Sequence, residues 1–120
     1  MPSDKPKFVY SKVIKISRDD MRLLRAGKKK CTVRVGNASV AGPEIIMSDG
    51  RSSARIRILS VDNNRTFSQL TLQDALAEGF ASRDELEKDL RRYYPRVQPS
   101  DPITVIYFES VHDQPTLFSE

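Results

Sequence analysis

The sequence predicts a single α+β domain in which one small sheet hides its apolar face against short helices or curls on itself. Three observations predict it. Segments with two-residue alternation, chiefly Cys31 to Val35 and Ala54 to Val61, are interleaved with segments that open on hydroxyl caps at Ser17, Thr71 and Ser82. An Asp49-Gly50 pair sits between two apolar, β-branched runs, the signature of a hairpin. A chain of 120 residues with 38% hydrophobic and 30% charged side chains can bury one modest core, which excludes multi-domain, fibrous and disordered readings.

Residues 1–7 read as an N-terminal tail, and Phe8 to Ile16 as a strand carried by Val13, Ile14 and Ile16. Ser17, with Asp20 three residues on, caps a helix of about nine residues whose apolar stripe is Met21, Leu23 and Leu24 and whose stop is Gly27. Cys31, Val33 and Val35 then alternate with Lys30, Thr32 and Arg34, which gives a half-buried strand with Cys31 as a small core residue. Gly36 to Pro43 is a turn-rich link. Glu44 to Met47 and Ala54 to Val61 form the hairpin, with Ile56 and Ile58 facing one way and Arg55 and Arg57 the other. Thr71 opens one helix, and the capping box Ser82 to Glu85 opens another through Leu86, Leu90 and Tyr93, with Glu78 to Ala81 as the elbow between them. Pro95, Pro99 and Pro102 prevent further helix, and the near-continuous apolar run Ile103 to Glu109 reads as a central strand. Residues 110–120, with the lone His112, read as a C-terminal tail, so the domain spans 8–109.

The net charge of +4 hides an asymmetry. Residues 1–65 hold 15 Lys and Arg against 6 Asp and Glu, or +9, whereas residues 66–120 hold 5 against 10, or −5. A basic half gathered on one face attracts polyanions by counterion release; halves interleaved in space only solvate separate faces. One Cys and one His supply neither an intramolecular disulfide nor a set of soft ligands, so neither a metal nor a cofactor is expected. The apolar runs are too short to cross a bilayer and no export leader is visible, so the expectation is a cytoplasmic protein without a membrane partner.

The stretch Gly27-Lys28-Lys29-Lys30-Cys31-Thr32-Val33-Arg34 resembles the G-x-K-x-x-T-x-R motif of ASCH domains. The order of the elements resembles theirs as well, from the helix before the motif through the Glu78-Gly79-Phe80 elbow and Tyr93-Tyr94-Pro95 to the last strand, over roughly residues 8–109. The resemblance implies a small PUA-like β-barrel with flanking short helices and a nucleoside or RNA as partner. One small bacterial branch of that family hydrolyses the acetyl group from N-acetylcytidine. Matched residue by residue, it implies Lys29 as base, Thr32 as nucleophile and Glu78 as proton donor, with Arg34 holding the substrate or orienting Glu78, and Lys28 and Lys30 beside them. Lys30 and Cys31 depart from the small or β-branched residues more usual in the motif.

The same residues can be read by their chemistry. A threonine hydroxyl needs a neighbouring base, and a lysine serves only as its neutral amine. Positive charge on Lys28, Lys30 and Arg34 favours that amine, while an ionised Glu78 opposes it, so Lys29 and Glu78 titrate as a pair. Arg34 or amides at the Gly79 elbow are candidate oxyanion donors. In the plainer alternative, Lys29 and Glu78 form an ion pair locking the elbow to the strand and Thr32 is an ordinary strand residue. Arg51, Arg55 and Arg57 are candidates for nucleic-acid phosphates or are simply solvated, and Tyr93 and Tyr94 either stack on a base or pack the core. Three functions follow: amide hydrolysis of an acylated cytidine, non-catalytic RNA binding, and metal-independent RNA cleavage by Lys29 with a hydroxyl or tyrosine.

Overall fold

Strand β6 (Ser53–Thr66) is the longest element of the computed structural model, which describes residues 8–111. Before it come β1 (Phe8–Tyr10), β2 (Val13–Lys15), α1 (Arg18–Arg25), β3 (Cys31–Val35), β4 (Ala38–Val40) and β5 (Glu44–Ser48). After it come a 3-10 turn at Phe67–Gln69, α2 (Leu72–Glu78), α3 (Arg83–Tyr93) and β7 (Pro102–Ser110). Five strands form one sheet in the order β2-β5-β6-β7-β3, with β2 parallel to β5 and the remaining pairs antiparallel. The described residues thus form a mixed α+β domain with three α-helices, and none of these is long and apolar enough to cross a membrane.

Strand β7 is interior and buries both faces, which is why it reads as a continuous apolar run. Ile103 and Val105 enter a core with Cys31, Val33, Leu86 and Leu90, covered by α2 and α3. Ile106 and Phe108 enter a second core with Ile14, Met47 and Ile56, closed by Met21 and Leu24 of α1. Strand β6 pairs with β5 at its start and with β7 along most of its length, and its register against β7 shifts between Ile58 and Ser60 and again between Asp62 and Arg65. Irregularities of this kind bend a strand and increase its twist.

The bend brings the two ends of the sheet, β2 and β3, to opposite sides of one opening without joining them. Backbone pairing among the described residues closes no barrel; a side chain bridges the opening instead, Arg34 Nη2 of β3 donating to the Lys15 carbonyl of β2 at 2.9 Å. The candidate site lies in this opening.

Three local expectations are corrected. The single strand expected over Phe8 to Ile16 is broken at Ser11-Lys12, and its first part, β1, pairs in parallel with β4, inside the segment expected to be only turns. The cause is tertiary. Thr104, fully buried on β7, donates its hydroxyl to the Gly36 carbonyl at 2.7 Å and accepts the Ala38 amide at 2.9 Å, which extends a chain whose local sequence favours turns. At Ser82 the expected capping box is half made: Ser82 Oγ accepts the Glu85 amide at 3.2 Å, but Glu85 reaches back to the Ala81 amide. The tails at 1–7 and 112–120, His112 included, lie outside the described residues, while Ser110, expected in the tail, ends β7.

The two oppositely charged halves interleave. Lys29 pairs with Glu78, Arg57 with Glu109 at 2.9 Å and Arg65 with Asp74 at 2.7 Å, each a cation from the first half on a carboxylate from the second.

Candidate functional site

Helix α2 begins at Thr71, whose hydroxyl accepts the Asp74 amide at 3.1 Å, and ends at Gly79, which takes φ +98°. That left-handed turn ends the helix on Glu78 and leaves its carboxylate under β3. Glu78 Oε2 accepts the Val33 amide at 2.7 Å, and Oε1 takes the Lys29 ammonium. Asp20 of α1 lies 3.9 Å from the same ammonium. The neighbours of Lys29 are therefore carboxylates and not the cations expected, because Lys28 and Lys30 turn outward to solvent.

Lys29 and Glu78 are 3% and 5% exposed, which is unusual for charged groups and requires their mutual pairing, and Thr32 is buried as deeply at 3%. Burial pushes the Glu78 carboxyl above its usual range, against the downward pull of Lys29 and the Val33 amide. Thr32 Oγ1 accepts a hydrogen bond from Arg34 Nε at 3.2 Å; Thr32 and Arg34 stand on the same side of β3, opposite the core-facing Cys31 and Val33.

Thr32, Arg34 and Glu78 border one cavity of about 400 Å3 in the opening between the sheet ends, with Asp20 of α1 and Asp89 and Tyr93 of α3 across from them. A volume of this order suits a small organic ligand. Tyr94 also faces it while packing against the core, and Tyr93, 56% exposed, stands at the mouth. Lys29 does not border this cavity; it lies behind Glu78. The described hydrogen bonds join Lys29 to Glu78 and Thr32 to Arg34, and none joins Lys29 to Thr32.

The remaining sequence candidates lie elsewhere. Lys28 and Lys30 border a shallow depression beside α2 with Leu76 and Gly79, and Arg55 borders a broad groove with Leu24 and Leu59. Arg57 is held between Glu44 at 3.5 Å and Glu109 at 2.9 Å, and Arg51 is exposed in the hairpin turn. Cys31 is fully buried, and burial, followed by the Glu78 charge, pushes its thiol far up. Among the described residues no group of three His, Cys, Asp or Glu side chains is arranged to hold a metal ion.

Two cavity residues escaped the sequence reading. Asp20 reads as a cap position, which it fills with its backbone amide while its carboxylate faces Lys29. Asp89 lies four residues before Tyr93, so helical spacing alone sets both on one face of α3.

No family model matches the chain. A Ribonuclease HII of Rickettsia typhi is 31% identical over 78 residues, which are 65% of this chain and 40% of that protein, so the chain spans about two fifths of the length of this curated relative. Two crystal structures share the fold. The hypothetical protein PH0355 matches with a TM-score of 0.58 at 14% identity, over 84% of this chain and 99% of that one. Protein EF3133 from Enterococcus faecalis, of family model DUF984, matches with a TM-score of 0.59 at 23% identity, over 79% of this chain and 68% of that one.

Proposed function

We propose that the chain is an ASCH-type, PUA-like domain of the cytoplasm whose cavity takes a nucleoside base and hydrolyses the amide of an acylated cytidine. The observation that carries this reading is the buried Lys29–Glu78 pair, with its Glu78 end in the same cavity wall as Thr32. Passing one proton along that hydrogen bond converts ammonium and carboxylate into amine and carboxylic acid. Burial, which drives the Glu78 carboxyl toward its protonated form, favours this state. It is the state the reaction needs: a base and an acid at neutral pH.

Thr32 Oγ attacks the acyl carbon as its proton passes to the Glu78 carboxyl in the cavity wall, which hands its own proton to the Lys29 amine behind it and so stays an acid, and Arg34, already on Thr32 Oγ1, steadies the developing negative charge. Glu78 protonates the departing cytidine amine, which leaves an acyl ester on Thr32. Water then attacks the ester, giving its proton to Glu78 while the Lys29 ammonium returns one to Thr32 Oγ by the same relay through the Glu78 carboxyl. Acid, base and hydroxyl are restored.

The test is incubation with N-acetylcytidine and chromatography of cytidine. Release that falls at least about a hundredfold in Thr32→Ala and in Glu78→Gln supports the reading; no release, or full release by Thr32→Ala, overturns it.

A second reading, a non-catalytic RNA-binding module, draws on the exposed Arg51 and Arg55 of one hairpin and on the partial match to a protein named as a ribonuclease. It expects RNA retention whose salt slope drops by about one unit per phosphate-contacting arginine removed. Appearance of cleaved RNA in the same incubations would instead favour metal-independent cleavage by Lys29.

A further inference from the structure

Two carboxylates at the cavity lack hydrogen-bond donors among the described residues, whereas the cations Arg34 and Lys29 have partners in the fold. Arg34 spends Nε on Thr32 Oγ1 at 3.2 Å and Nη2 on the Lys15 carbonyl at 2.9 Å, and its guanidinium lies 5.8 Å from the Tyr10 ring centre. Lys29 is spent on Glu78. The carboxylates of Asp20 and Asp89, by contrast, accept no hydrogen bond among the described residues. Their nearest cations are Lys29 at 3.9 Å and the exposed Arg92 at 3.6 Å, respectively. Their side chains are 20% and 24% exposed, so their oxygens stand open to the cavity. Each carboxylate can accept several hydrogen bonds, and here that capacity is free for a ligand.

We infer that Asp89, together with Asp20, is the specificity-determining acceptor pair of the cavity, selecting a ligand that brings N–H or O–H donors and carries no phosphate: a free nucleoside in preference to a nucleotide or an RNA strand. The inference rests on the base-binding reading above and extends it to the substrate's charge. A nucleoside supplies ribose hydroxyls and ring N–H groups to the two carboxylates, and the Tyr93 and Tyr94 rings give its base apolar walls. A phosphate entering the same space meets the like charges of Asp20 and Asp89, while Arg34 is already partly engaged by Thr32 and the Lys15 carbonyl. Lys15, at the exposed rim, is the remaining cation of the wall. Burial and then the Asp20 charge push the Asp89 carboxyl above its usual range, which agrees with two carboxylates sharing one opening and lacking a donor.

Cytidine and cytidine 5′-monophosphate are titrated into the full chain and followed by the backbone amide resonances of Thr32, Arg34 and Tyr93. Cytidine is expected to bind about tenfold or more tightly than the monophosphate. In Asp89→Asn the ratio should shrink at least about threefold, mainly through tighter monophosphate binding, and in Asp89→Glu, which keeps the charge, it should hold. The dispersion of the amide spectrum verifies that each variant is folded. Monophosphate binding equal to or tighter than cytidine, as Lys15 would produce, overturns the inference and leaves the base-binding reading standing. So does a ratio unchanged in both Asp89→Asn and Asp20→Asn. If neither ligand moves those resonances, the base-binding reading fails and takes this inference with it.

Discussion

Asp74 and Glu78 lie one turn apart on α2, both buried, and the fold satisfies them to opposite degrees. Asp74 accepts from two nitrogens of Arg65 at 2.7 and 3.0 Å, from the Thr71 amide at 2.8 Å and hydroxyl at 3.0 Å, and from the Tyr107 hydroxyl at 3.0 Å. Burial pushes its carboxyl up, but Arg65 and Thr71 outweigh it and hold the group below the usual carboxylate range. Glu78 has only Lys29 and the Val33 amide, and burial wins there. One carboxylate fastens the helix to β6 and β7; the other keeps the capacity to take up a proton.

Asp74→Ala removes the acceptor shared by Arg65, Thr71 and Tyr107, leaves Arg65 to Asp62 at 3.0 Å, and should cost about 1–3 kcal/mol in denaturant unfolding. The wild-type contribution of Asp74 is complete above about pH 4, its unfolded value, and is lost as pH falls through the depressed folded value, so the acid limb of the stability curve should flatten in this variant. The same knot is readable at Tyr107, whose phenol is pushed up to about 12 by burial and by its bond to Asp74. In Asp74→Asn, ultraviolet titration should find that phenol ionising at lower pH.

Lys29→Met and Glu78→Gln each leave a buried polar partner uncompensated and should each cost about 3–5 kcal/mol, whereas the double replacement Lys29→Met/Glu78→Leu should recover most of it. A double-mutant cycle measured by urea unfolding checks this coupling. If Glu78 is the acid of the reaction, turnover of the wild type should also fall as pH rises through its elevated value, because the proton to be donated is then lost.

Gly79→Ala combines two faults. The residue sits at φ +98°, and a Cβ there would stand 2.9 Å from Leu23 Cδ1 of α1. We expect a loss of about 1–3 kcal/mol in thermal unfolding, and turnover reduced beyond what the unfolded fraction explains, since the strained residue adjoins Glu78.

Cys31 should resist thiol reagents in the native protein and react only through opening of the fold. Its labelling rate with Ellman's reagent should therefore rise with urea in parallel with unfolding. Fast labelling in buffer would contradict its placement in the core.

Where local physics acts alone, the sequence was a sufficient guide. The caps at Ser17 and Thr71, the elbow at Glu78 to Ala81, the hairpin turn in which Asp49 accepts the Arg51 and Ser52 amides, and the two-sided burial of β7 are all written in residue type and spacing. The pairing of Lys29 with Glu78 was also legible, as one of two readings. Elements that depend on distant partners were not. Strand β4 exists because Thr104 meets it from 66 residues away, and Asp20 looks toward Lys29 because Met21 and Leu24 seat α1 on the core around Ile14, Met47 and Ile56. The reach of arginines was equally hidden: Arg57 reads as a phosphate ligand until Glu44 and Glu109 are seen on either side of it.

Strand β3 bears Thr32 and Arg34, yet its sole neighbour in the five-stranded sheet is β7, the last element of the described chain. During synthesis the edge that carries the proposed nucleophile therefore waits, unpaired, until some seventy further residues have emerged, and the Lys29–Glu78 pair must likewise span 49 positions. Binding competence therefore waits on β7, so a message truncated ahead of Pro102 yields a polypeptide whose β3 lacks its partner strand.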